Sequence, residues 1–77
     1  MKDQFKGLKT ALAHNVRFLR RGRGWSQEQL ADGAGLDRTY ISQIERAIGN
    51  PSLETIAKIA SALQTPPGEL LDRHFRA

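Results

Sequence analysis

The 77-residue chain has no cysteine, so neither disulfides nor thiolate metal sites can supplement its core. Aromatic residues are few: one Trp, one Tyr and three Phe. No stretch approaches the roughly 18 consecutive apolar residues of a membrane helix, and no signal-peptide pattern opens the chain. Those absences point to a small, soluble, cytoplasmic protein with no membrane partner. The length suggests one domain, residues 1–77, near the lower limit for a self-sufficient core. Stability must then come from helix packing, and association into a dimer would add to it.

Acidic residues are scarce in the first third. Residues 1–25 hold seven Lys/Arg against the single acid Asp3, whereas residues 26–77 hold five basic and seven acidic side chains. A basic half is compatible with a phosphate-bearing partner and equally with a solvated helix face. Catalytic constellations are also missing. His14 and His74 are single and far apart, no metal-ligand spacing exists, and no phosphate-cradling glycine loop follows a strand. The expectation is a protein that is not an enzyme, with no cofactor, no metal and no small-molecule ligand.

What is present is helical periodicity. Phe5, Leu8, Leu12, Val16 and Leu19 form an apolar stripe, which predicts a first helix from about Phe5 to Arg21, ended by Gly22 and Gly24. Ser26 and Gln29 have the spacing of a capping box, with Trp25 and Leu30 as its hydrophobic staple. A short second helix then carries Leu30, Ala31 and Ala34. Gly35 sits where a tight turn needs positive φ, and Asp37 is a good N-cap for a third helix. In that helix, roughly 100° per residue places Arg38, Thr39, Ser42, Gln43 and Arg46 on one side and Tyr40, Ile41 and Ile44 on the other. After a Gly-Asn-Pro loop, Ser52 caps a fourth helix, whose inner stripe is read as Leu53, Ile56, Ala57, Ala60 and Leu63, with Ile59 off it. Pro66 lies near the first position of a last short helix carrying Leu70, Leu71 and Phe75.

Two helices joined by a glycine-containing turn of three or four residues form a helix-turn-helix unit, here residues 27–46. The run QEQLADGAGLDRTYISQIER, Gln27 to Arg46, resembles the lambda repressor and Cro-like (XRE) helix-turn-helix family. The likeness extends from about Val16 to Leu71, and LDRTYISQIER looks most like the small controller proteins of restriction–modification systems. It also looks like short bacterial and phage repressors. The fold this implies is all-α, a five-helix lambda-repressor-like DNA-binding domain with the helix-turn-helix at helices 2 and 3.

The implied partner is double-stranded DNA, bound as a homodimer on a palindromic operator, because one short helix covers only a few base pairs. Arg38, Thr39, Ser42 and Gln43 are the expected base contacts. Arginine pairs bidentately with guanine and glutamine with adenine, although Arg38 as a phosphate contact and Gln43 as an exposed helix former are the plain alternatives. The expected backbone contacts are Gln27, by family position, and Tyr40, Arg46 and Asn50. Arg20 and Glu45 occupy positions that the family commonly uses for a structural ion pair, which leaves Arg17, Arg21 and Arg23 for phosphate or solvent. The family often places basic residues between the recognition helix and Asn-Pro. This chain has Ala47, Ile48 and Gly49 there. Ile59, Leu71 and Phe75 are the expected dimer-interface residues, being apolar side chains left over from the inner stripes. The alternative function is an antitoxin or protein-interaction module on the same scaffold.

Overall fold

The structure, a computed structural model, describes residues 2–73. Among them there are five helices and no strand: α1 (Lys2–Gly22), α2 (Gln27–Ala34), α3 (Arg38–Glu45), α4 (Leu53–Leu63) and α5 (Pro67–Leu70). None is long and apolar enough to cross a membrane.

Local chemistry sets most of the helix ends. At α2, Ser26 Oγ accepts from Gln29 N–H at 3.0 Å, and Gln29 Oε1 accepts from Ser26 N–H at 2.7 Å, a complete capping box. Gly35 closes α2 at φ 68°, and the next amide, Leu36 N–H, returns to the Ala31 carbonyl at 2.9 Å. A side chain at Gly35 would force the left-handed conformation on a residue with a Cβ. Asp37 Oδ1 accepts from Thr39 N–H at 3.3 Å and opens α3, while Ser52 Oγ accepts from Thr55 N–H at 3.1 Å and opens α4.

Every helix contributes to one core. Val16 of α1, Leu30 of α2, Ile41 of α3, Ile59 of α4 and Leu70 of α5 are all fully buried. Each such side chain contributes about 1.5–3 kcal/mol relative to exposure. Ala31, at 1% exposure, is the small residue that lets α2 lie close to its neighbours. The short α5 is clasped by α1. Buried Asn15 donates from Nδ2 toward the carbonyls of Glu69, Leu70 and Asp72 at 3.1, 3.0 and 2.9 Å. The Glu69 carbonyl also accepts from Asp72 N–H at 3.3 Å, so Asn15 adds a tie from α1 to the local turn that ends this four-residue helix.

The periodicity reading needs correction in three places. Helix α1 begins at Lys2 rather than near Phe5, and Phe5 and Leu8 stay 49% and 43% exposed. The packed stripe therefore starts at Leu12. In α4 the phase is shifted. Ile59 is 0% exposed and belongs to the core, whereas Leu53 is 81% exposed and Ala57 also faces out. Ile59 is therefore not available as a dimer contact, because its whole side chain is already enclosed within one chain. Pro66 is the N-cap of α5, and Pro67 takes the first helical position. Leu71 is half-buried against the core edge, and Phe75 lies outside the described residues.

Candidate nucleic-acid interface

Helix α3 has two chemically different sides. Its rear is fixed by Ile41 and Ile44, at 0% and 2% exposure. On its front, Arg38, Thr39, Gln43 and Arg46 are exposed and Ser42 is half-exposed, so the structure brings these five residues onto one face. Among the described residues, no group hydrogen-bonds to the side chains of Arg38 or Gln43. Arg46 folds back lightly, its Nε donating to the Ser42 carbonyl at 3.4 Å. A row of donors and acceptors in which Arg38 and Gln43 are unpaired, on an eight-residue helix and its C-cap, is a surface suited to the edges of bases in a groove.

Glu45 is the fixed point behind that row. Arg20 Nε donates to Glu45 Oε2 at 2.6 Å and Arg20 Nη2 to Oε1 at 2.9 Å, with the two side chains 10% and 3% exposed. Arg20 Nη1 donates to the Trp25 carbonyl at 2.7 Å, so all three guanidinium nitrogens are used. The hydrogen bond to Glu45 is the main cause that raises the Arg20 pKa above the ordinary arginine value; burial works against it and the opposite charge adds to it. No buried side-chain polar atom among the described residues is left unpaired, which is the condition under which a buried pair does not cost stability.

Gln27 and Arg17 also converge on this residue. Gln27 Nε2 donates to Glu45 Oε1 at 3.2 Å, and Arg17 Nη1 donates to the Glu45 backbone carbonyl at 3.1 Å. The Gln27 side chain is thus turned toward the ion pair. Of the first backbone N–H groups of α2, that of Gln29 is taken by Ser26 Oγ, and those of Gln27 and Glu28 have no acceptor within the helix. Arg23 is likewise engaged, donating from Nη2 to the Leu63 carbonyl at 2.8 Å and to Gln64 Oε1 at 3.1 Å, while its guanidinium lies 5.1 Å from the centre of the Trp25 ring. Of the three arginines that the sequence leaves for phosphate or solvent, only Arg21 is exposed without such a bond among the described residues.

Tyr40 sits at the border of the two sides. Its ring packs half-buried on the core, and its hydroxyl accepts from Thr55 Oγ1 at 3.4 Å. Thr55 Oγ1 in turn accepts from Ser52 Oγ at 3.0 Å. That chain of hydroxyls leaves the Tyr40 proton free to be donated outward. Asn50 is exposed in the loop that follows α3. This loop leaves the helix through Ala47, at φ 58°, and Gly49, at φ 80°. A non-glycine residue in that region costs about 1 kcal/mol.

Sequence reasoning missed the roles of Asn15 and Arg17 and the partner of Gln27. Each is a side chain bonding to an element distant in sequence, which no local spacing encodes. No group of His, Cys, Asp and Glu among the described residues has the geometry to hold a metal ion.

The family described as Helix-turn-helix matches residues 16–70. A hypothetical transcription factor of Neisseria meningitidis is 48% identical over 64 residues, covering 83% of this chain and 60% of its own length. Control protein C.SmaI of Serratia marcescens is 46% identical over 69 residues, covering 90% of this chain and 82% of its own length. Among solved structures, the restriction-modification controller protein C.AhdI of Aeromonas hydrophila superposes with a TM-score of 0.77 at 44% identity, over 80% of this chain and 94% of that one. This chain thus spans only part of the Neisseria relative and most of the two controllers.

Proposed function

The chain belongs to the Helix-turn-helix family, and from that premise we propose that it is a sequence-specific DNA-binding regulator of transcription, acting as a homodimer on a palindromic operator. Its relatives are transcription regulators and control proteins rather than enzymes. The observation that carries the reading is the polar row on α3, with Arg38 and Gln43 exposed and unpaired, backed by buried Ile41, Ile44 and Glu45. Arg38 reads a guanine edge and Gln43 an adenine edge, with Thr39 and Ser42 between them. The opening amides of α2, the Tyr40 hydroxyl, Arg46 and Asn50 hold the phosphate backbone. Leu71, half-buried at the edge of the core, contributes to the subunit contact. Control of a restriction–modification operon is the version favoured by likeness to C.SmaI and C.AhdI.

The test is selection of bound duplexes from a random pool at physiological salt. Enrichment of a palindrome with half-site centres about 10–11 base pairs apart, or a multiple of that spacing, is the expected result. Binding that vanishes with added salt and enriches no sequence would leave only the phosphate attraction and would overturn the reading.

A further inference from the structure

The carbonyls of the last turn of α3 can be accounted for one by one. The Ser42 carbonyl accepts from Arg46 N–H at 3.2 Å, that of Gln43 from Ile48 N–H at 2.9 Å, and that of Ile44 from Ala47 N–H at 3.0 Å. The Glu45 carbonyl accepts from a different helix, through Arg17 Nη1 at 3.1 Å. Arg17 and Arg20 are neighbours on one face of α1, three residues apart. One grips the backbone of Glu45 and the other its carboxylate.

A carboxylate pair alone constrains the side chain of Glu45, and α3 can still pivot about the torsions between that carboxylate and its own backbone. A second bond, made to the backbone, removes the pivot. A guanidinium at this end of the helix also meets the negative pole of the helix dipole. We propose that Arg17 is a positioning residue. By capping the C-terminus of α3 from α1, it sets the angle at which Arg38 and Gln43 are presented, and therefore the discrimination between operator and near-operator. This rests on the functional reading above and deepens it. Arg17 acts through the pose of α3 and not as one of the phosphate-neutralising cations.

Two measurements on Arg17→Met, which keeps the stem and removes the donor, separate these roles; Arg17→Lys, which keeps a donor and the charge, serves as the rescue. In the free protein, amide hydrogen exchange at Arg46, Ala47 and Ile48 is expected to speed up roughly ten-fold in the Met variant, with α2 and α4 unchanged, and to recover in the Lys variant. On the selected duplex, the ratio of affinities for the preferred and singly mismatched sites is expected to fall roughly three- to ten-fold, while the slope of log K against log salt is unchanged.

A slope reduced by about one, with both duplexes weakened equally, would make Arg17 a phosphate ligand and overturn the proposal. So would exchange and discrimination that both match the wild type. If Arg17→Met does not fold, Arg17→Gln takes its place under the same criteria. A wild-type chain that selects no sequence would overturn the functional reading, and the discriminating role with it. The exchange measurement would still report whether Arg17 anchors α3.

Discussion

On the rear of α3, Ile41 and Ile44 are enclosed, and both carboxylate oxygens and the carbonyl of Glu45 are held by α1 and α2. On the front, one residue-width away, the exposed side chains of Arg38 and Gln43 make no hydrogen bond among the described residues. The contrast separates two tasks within eight residues. The rear supplies folding free energy and orientation, and the front is left uncommitted. Front residues can therefore be exchanged at little cost in stability, whereas rear residues cannot.

Four substitutions test how clean the separation is. The largest effect is expected for Arg20→Met, which strands the buried Glu45 carboxylate with only Gln27 as a side-chain partner. Loss of about 3 kcal/mol of stability is expected, with a drop in melting temperature of well over ten degrees for a domain this small, read by circular dichroism. A shift of a degree or two would mean that the pair contributes nothing net. Because the pair raises the Arg20 pKa, its contribution is fully present below the ordinary arginine range and is lost only as pH climbs above it. Titration of Arg20 therefore adds no pH dependence near neutrality.

Arg38→Ala should do the reverse. Binding to the selected operator is expected to weaken by about 1–3 kcal/mol, with relaxed preference at one base pair per half-site. Melting should stay within about 0.5 kcal/mol of the wild type. Equal weakening on all duplexes would place Arg38 on phosphate instead. Tyr40→Phe tests the border between the two sides. It removes one weak hydrogen bond to Thr55 and should cost about 0.5–1 kcal/mol in denaturant unfolding. A much larger loss would move Tyr40 wholly to the rear. The smallest effect, and the only gain, is expected at the exit of the helix. Ala47→Gly relieves a positive φ and should raise stability by about 0.5–1 kcal/mol. A loss there would show that the Ala47 methyl packs more than its backbone is strained.

How much of this could be read beforehand follows from the range of each interaction. The capping box at Ser26 and Gln29, the turn at Gly35 and the cap at Asp37 involve residues two to four apart, and sequence alone places all of them. The two sides of α3 also follow from period, because its apolar and polar residues are cleanly sorted. Helix α4 is different. Leu53, Ile56, Ala57, Ile59, Ala60, Ala62 and Leu63 are apolar around most of its circumference, so the pattern admits two phases, and packing against α2 and α5 selects the one that buries Ile59. At the candidate interface, the front row was legible. The convergence of Arg17 and Gln27 on Glu45 was not, because it depends on where three helices meet.

The Asn15 clasp has a mechanical consequence. Asn15 grips the end of α5 and Arg20 grips α3, and the two are only five positions apart on α1, about 7.5 Å of helix. A helix is stiff over such a length. Helix α1 is thus a short strut between α5 and the helix α3 that carries the exposed row. A displacement of α5 would therefore be passed to α3 with little slack.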